Sequence, residues 1–288
     1  MFILLVVLSG LTPADSLLPE VDPLDTVDLS GRFVILSADD GHRSIYDRVY
    51  PLLKRHGMTL TLGVIGSYVG GPGSSYGPPG SYMGRREIQE MIDSCDIEVA
   101  SHSMTHARLT RLDSAACWRE IHGSKVHLES MFGRPVITFI YPYGSMDPRV
   151  RNMVRRAGYR LARAVRPGLP NIWADPYRIP EIELRRETRL SDLKARIARR
   201  DVTVILLHRI VPRPAAFTEW PAADFAELLD WLDRRGARVT TLSEYYRWWW
   251  QQRLEDVLRE QDWLSPVLSP GRLLEDVEVD AAGTAHPR

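Results

Sequence analysis

The chain is 288 residues long, enough to bury one large core or two small ones, and its 44% apolar and 26% charged content is ordinary for a globular protein. Its 37 basic residues are matched by 37 acidic ones, so no net charge draws it to nucleic acid or to an anionic membrane. Two cysteines, Cys95 and Cys117, exclude a disulfide-dense scaffold and a cysteine-based metal site. One precedes a strand and the other lies in a helical stretch, so two buried thiols are expected rather than a bridge.

Met1 to Leu11 is apolar and is followed by Thr12-Pro13-Ala14-Asp15-Ser16. It resembles the apolar part of a signal segment without the usual basic start, and points to an extracytoplasmic or secreted protein. A disordered or packed arm is the other reading, and a cytoplasmic location stays open. The run is too short to span a bilayer, so no transmembrane segment is expected. Residues 1–30 then read as a signal-like segment and extended lead-in, 31–248 as the main domain, and 249–288 as a C-terminal helix with a disordered tail.

The first strand is the β-branched, apolar run Arg32 to Ser37, which ends at Asp39-Asp40-Gly41. Asp-Gly alone is a common turn pair. Here, however, neighbouring side chains at a strand end point in different directions, so two aspartates there can do different chemistry. A helix over Ile45–His56 and a strand over Thr59–Ile65 follow. The Gly- and Pro-rich stretch Gly66 to Gly84 has no phosphate-loop spacing and reads as a loop whose tyrosines, Tyr68, Tyr76 and Tyr82, could stack on sugar rings or simply face solvent.

Arg85 to Ser94 is helical, and Asp96 to Ala100 is a strand that runs into His102-Ser103-Met104-Thr105-His106. A helix over Asp113–Phe132, with Ser114 as its N-cap, precedes the strand Val136–Ile140, which enters Tyr141-Pro142-Tyr143-Gly144. A helix over Pro148–Ala157 leads to the strand Tyr159–Ala164. Asn171 to Pro180 is irregular and carries Trp173, Asp175 and Arg178. A helix over Leu190–Arg199 precedes the strand Val202–Leu207, which ends at His208. A helix over Asp224–Arg235, a strand over Ala237–Leu242 and the aromatic run Tyr245 to Trp250, continuing into a helix to Trp263, complete the chain. That run could form a glycan platform, but packing of a terminal helix against the main domain is the favoured reading.

Alternating strands and helices, with chemically capable residues at four strand ends, predict an α/β fold whose site lies at the C-terminal ends of parallel strands. His102 and His106, four apart, share a face if the segment turns helically after its strand. With a carboxylate from another strand end they form an Asp-His-His set with room for water, which suits zinc and admits other divalent metals. His208, at the end of a buried strand, could equally be a satisfied core histidine.

In their order along the chain, these motifs resemble those of the polysaccharide deacetylase family, the NodB homology domain of carbohydrate esterase family 4. Ser37 to Gly41 is similar to its first motif, His102 to His106 to its second, Tyr141 to Gly144 to its third and Leu206-Leu207-His208 to its fifth. The resemblance covers roughly Arg32 to Trp248 and implies a distorted (β/α)7-type barrel. It also implies that Asp40, His102 and His106 hold a divalent ion, most simply Zn2+. Asp39 would be the base, the backbone N–H of Tyr143 would hold an oxyanion, and His208 would be the acid. The partner implied is a glycan substrate, and the oligomeric state stays open.

Three departures stand out. The arginine of the third motif, which orients the base, is replaced by Ile140, and the Tyr-Pro-Tyr-Gly form is similar to that of poly-N-acetylglucosamine deacetylases. Arg178 is the expected substitute for that arginine. The fourth motif is not recognisable, with Trp173 and Asp175 as loose stand-ins and Asp175 as an orienter for His208. Ala38 stands where phenylalanine is common. The reading is therefore a metal-dependent hydrolase that removes acetyl groups from an N-acetylglucosamine-containing glycan. An amidohydrolase for small non-sugar amides and a non-catalytic glycan-binding relic are the rivals.

Overall fold

The computed structural model describes residues 24, 26–70, 80–164, 175–260, 277–279 and 285–287. The first strand, β1 (Phe33–Ala38), is buried along its whole length. A wide helical turn over Ile45–Val49 runs into α1 (Tyr50–His56), which ends at Gly57 in the left-handed conformation. Then come β2 (Thr61–Val64), α2 (Arg85–Cys95) and β3 (Glu98–Ser101). Helix α3 (Ser114–Trp118) continues through a wide turn at Arg119–Gly123 into α4 (Ser124–Phe132). The cap of α3 is Asp113 rather than Ser114, because the Asp113 carboxylate accepts the Ala116 N–H at 2.8 Å.

Next are β4 (Thr138–Ile140), α5 (Pro148–Arg156), β5 (Leu161–Arg163), β6 (Ile182–Glu183), α6 (Leu190–Ile197) and β7 (Val202–Leu207). Two short strands, β8 (Arg209–Val211) and β9 (Glu219–Pro221), pair with each other before α7 (Ala222–Arg234), β10 (Arg238–Thr240) and α8 (Leu242–Glu260). In the tail expected to be disordered, β11 (Val277–Val279) and β12 (Ala285–Pro287) form an antiparallel pair. No helix among the described residues is long and apolar enough to cross a membrane.

The α/β expectation is met by a curled parallel sheet in the order β5-β4-β3-β2-β1-β7-β6. β10 lies beside the first half of β1, on the edge that β2 occupies along its second half. The stretch 176–183 links the two sheet edges. Pro176 and Ile179 exchange backbone hydrogen bonds with β5 at 2.8–3.1 Å, and β6 then pairs with β7.

The strands are apolar on both faces, as a covered parallel sheet requires. Val34, Leu36 and Ala38 pack toward the surrounding helices, whereas Phe33 and Ile35 join Leu161, Ile179 and Val204 in a separate cluster. Helix α8 seats Leu242 and Tyr245 in that second cluster, beside the starting ends of the strands. Its first turn is held by Thr61 Oγ1, which accepts the Leu242 N–H at 2.9 Å, and by the Glu98 carboxylate, which accepts the Ser243 N–H at 3.0 Å. The aromatic run is therefore mainly a plug, with Phe33 4.9 Å from Tyr245 and 4.6 Å from Trp248 between ring centroids.

Candidate active site

The opposite, C-terminal ends of the strands gather the polar motifs. Asp40 follows β1 in the left-handed conformation, at φ 69°. For an aspartate that backbone is uncommon but accessible, and it turns the chain sharply enough for adjacent carboxylates to diverge. After β3, His102 to His106 is a loop and not the helical turn expected from the spacing. Ser103 and His106 are both left-handed, at φ 64° and 62°, and the Ser103 hydroxyl accepts the His106 N–H at 2.9 Å. This fold-back brings the two imidazoles together where a helix face would otherwise have done so.

The ligand-type atoms of Asp40, His102 and His106 all lie within 4.8 Å of one another. Asp40 Oδ1 is 3.4 Å from both His102 Nε2 and His106 Nε2, and the two Nε2 atoms are 3.1 Å apart. His102 Nδ1 lies 2.9 Å from the Ile140 carbonyl, which can only accept, so Nδ1 carries the proton and the Nε2 lone pair faces the cluster. Asp40 Oδ1 is buried without a hydrogen bond inside this triangle. One carboxylate oxygen and two imidazole nitrogens converging in this way fit a divalent cation.

Electrostatics agree with that fit at Asp40 and His106, whereas at His102 burial lowers the imidazole but the Asp39 and Asp40 carboxylates outweigh it and raise it. Burial opposes ionisation of Asp40, but the neighbouring His102 and His42 outweigh it and hold the carboxyl well below its ordinary range. Burial and the neighbouring His102 lower the His106 imidazole to about 4, favouring the neutral form a cation needs. His42, absent from the sequence reading, places Nε2 3.2 Å from Asp40 Oδ2 and stacks on Tyr82 at 5.1 Å. Tyr82 is buried there by an antiparallel bridge to His42, so it is not an open sugar platform. Tyr76 lies outside the described residues, and Tyr68 packs edge-on against Tyr82 at 4.9 Å.

Asp39 is buried beside this cluster, with Oδ2 3.8 Å from His102 Nε2. A Cβ added at Gly63 would meet Asp39 Oδ1 at 3.1 Å and Ile140 Cδ1 at 2.8 Å, so glycine on β2 makes the space that Asp39 fills. The partner of Asp39 is Arg163, fully buried at the end of β5 and ion-paired to both Asp39 and Glu181. Arg178, the expected tether, is exposed instead. The reason is geometric: Arg178 precedes Ile179, which bridges to Arg163, so the inward position on this edge belongs to β5. The Arg at the end of a strand was the available signal for Arg163.

His208 is half-buried just past β7, where Asp39 N–H donates to the Leu207 carbonyl at 3.0 Å, and its Nδ1 is buried without a hydrogen-bond partner among the described residues. Asp175 does not orient it. The Asp175 carboxylate accepts from Arg151 at 2.8 Å and from the Tyr177 N–H at 2.9 Å, which fixes the turn before Ile179. Trp173 lies outside the described residues. Tyr143 is left-handed at φ 57° and 42% exposed, with its ring 4.4 Å from that of His106. Both cysteines are free thiols, Cys117 buried and Cys95 partly so.

A parallel α/β sheet carries at its strand ends an Asp-His-His cluster of cation-ligating type beside a tethered second aspartate, and comparisons with known proteins show what it is similar to. The polysaccharide deacetylase family model matches residues 26–162, which span β1 to the middle of β5. Bacillus subtilis YxkH, whose polysaccharide deacetylase name is provisional, is 26% identical over 139 residues, or 48% of this chain and 47% of the relative. A poly-β-1,6-N-acetyl-D-glucosamine N-deacetylase of Staphylococcus aureus is 23% identical over 159 residues, or 52% of this chain and 54% of the relative. The chain thus spans about half the length of these curated relatives.

Among solved structures, the peptidoglycan deacetylase PdaC of Bacillus subtilis shares the fold at TM-score 0.54 and 19% identity, covering 81% of this chain and 99% of that one. The Xyl-CE4 domain of a xylanase from the hindgut metagenome of Trinervitermes trinervoides does so at TM-score 0.52 and 20% identity, covering 75% and 90%. Motifs and a family match over just under half of the chain make it similar to the polysaccharide deacetylases, and the solved structures show that it shares their fold.

Proposed function

We propose that the protein hydrolyses acetyl groups from an N-acetylglucosamine-containing glycan and that Asp40, His102 and His106 hold a zinc ion for the reaction. The observation that carries this reading is the buried Asp39 carboxylate, tethered by Arg163 and set 3.8 Å from a histidine of the three-residue cluster. When bound, a divalent ion at such a site polarises the amide carbonyl and eases deprotonation of water.

The chain's own groups supply the rest. Asp39 takes the proton of the attacking water, and Arg163 with Glu181 keeps its carboxylate turned inward. The backbone N–H of Tyr143, in its left-handed turn, is the donor for the developing oxyanion. His208 gives a proton to the departing amine nitrogen, a task suited to an imidazole. The Staphylococcus aureus relative is named for N-deacetylation of a β-1,6-linked N-acetylglucosamine polymer, which supports an amide of this sugar as substrate.

The test is acetate release from N-acetylglucosamine oligomers after chelation and after adding back zinc. Release restored by zinc is expected, and Asp39→Asn should lower it about 100- to 10,000-fold, the usual worth of a positioned general base, while zinc binding persists. Zinc bound at stoichiometry with no release from any oligomer would overturn the glycan reading in favour of a small amide.

A further inference from the structure

Three arginines just after β1, β6 and β7 are already matched by carboxylates. Arg43, just after β1, donates to Glu87 at 2.7 Å, Arg185, just after β6, donates to Glu183 at 2.6 Å, and Arg209, just after β7, donates to Glu219 at 2.7 Å. Arg108 differs. It lies two residues beyond His106, is exposed, and pairs with no carboxylate among the described residues. Its guanidinium carbon instead sits 4.2 Å over the Tyr143 ring, which lies 4.4 Å from the His106 ring.

A guanidinium stacked on an aromatic face is oriented by that face, and its in-plane N–H donors stay free for a ligand. On exposed Arg108 these donors lie at the rim, one aromatic ring removed from His106 of the Asp-His-His cluster. A planar, preoriented donor fork matches a carboxylate in bidentate fashion, and it repels an ammonium. Neutral hydroxyls would engage the same donors with less gain and without dependence on ionic strength.

Resting on the deacetylase reading, we propose that Arg108, held on Tyr143, is a specificity-determining residue that recognises a carboxylate on the sugar next to the one being deacetylated. The preferred substrate class is then an anionic N-acetylated glycan. Chains already carrying free amines near the reacting residue are disfavoured, so deacetylation of adjacent sugars is self-limiting.

The test uses the full chain, zinc-loaded and carrying Asp39→Asn to prevent turnover. Its binding is measured by calorimetry to oligomers of equal length: neutral N-acetylglucosamine, alternating N-acetylglucosamine–glucuronate, and partly deacetylated, cationic chains. Arg108 protein is expected to favour the glucuronate oligomer over the neutral one about 5- to 10-fold at low salt, the scale of one charge-assisted contact. Arg108→Gln should erase that preference, and Arg108→Glu should invert it toward the cationic oligomer. Equal binding of neutral and anionic oligomers, or a preference unchanged in Arg108→Gln, would overturn the proposal. Acetate release by the Asp39 enzyme is followed separately on the same three oligomers. Loss of release on all of them sinks the deacetylase reading, whereas equal scaling of kcat/KM on all three in Arg108→Gln shows that Arg108 merely supports Tyr143 and sinks this proposal alone.

Discussion

The two ends of the curled sheet are built by opposite means. At the C-terminal ends, non-glycine residues adopt left-handed backbone at Asp40, Ser103, His106 and Tyr143, and buried polar atoms converge. At the starting ends, α8 seals the sheet with Phe33, Tyr245 and Trp248 in ring contact. The carboxylate found there, Glu98, is satisfied by Thr61 at 2.8 Å, by Thr138 and by the Ser243 N–H. Strained backbone and clustered charge are tolerated at one end because the other holds the strands in register with apolar packing. The division matches the general tendency of parallel α/β sheets to place chemistry at strand C-termini and stability at the other face.

Arg163 links the two roles, so its loss should have the largest effect. Replacing it with leucine leaves Glu181 buried without its cation, which should cost about 3–5 kcal/mol, and also frees the Asp39 carboxylate. Stability to denaturant and acetate release should therefore fall together in Arg163→Leu, while Arg178→Ala, at an exposed position, leaves both nearly unchanged. Equal effects of the two substitutions would refute the assignment of Arg163 as tether.

Phe33→Ala attacks only the sealed end. Removing a buried ring should destabilise the fold by about 3–5 kcal/mol. Below the new melting transition, kcat per folded molecule should stay near the wild-type value. A large loss of kcat without a drop in melting temperature would show that the plug shapes the site directly.

The smallest effect is one of pH. Burial raises the Glu98 carboxyl above its ordinary 4.5, outweighing the hydrogen bonds from Thr138, Ser243 and Thr61. The folded state thus holds this proton more tightly than the unfolded chain does. Stability from the protonated form is fully present below 4.5 and is lost as pH rises through the higher folded value. Glu98→Gln, neutral at every pH, should gain melting temperature relative to the wild type as pH increases from 4 toward 7. A gap that stays constant over this range would show that Glu98 ionises normally in the fold.

Much of this was readable along the chain because periodicity and strand-end chemistry are local. β1, β3, β4 and β7 lie where apolar runs meet polar motifs, and Asp39, Asp40, His102, His106 and Tyr143 do gather at one end. The two-residue strand β6 and the short pair β8 and β9 were missed, since strands this brief carry no period of their own. The site partners Arg163, Glu181 and His42 were missed for a related reason: which side chain turns inward depends on register between strands distant in sequence.

Composition, apolar periodicity and the polar residues at four strand ends determined the α/β class and the end of the sheet that carries the site, and the order of the motifs carried the resemblance to polysaccharide deacetylases, because each depends on side-chain type and near-neighbour spacing. Tertiary structure alone decided that the histidines meet through a left-handed loop and not a helix turn, and that Arg163 holds Asp39 in place of Arg178. It also decided that the aromatic run plugs the far end of the sheet and that Arg108 stacks on Tyr143 at the rim and pairs with no carboxylate among the described residues. Those outcomes follow from how the sheet curls and closes, which is set by packing across the whole chain and leaves no mark in any one segment.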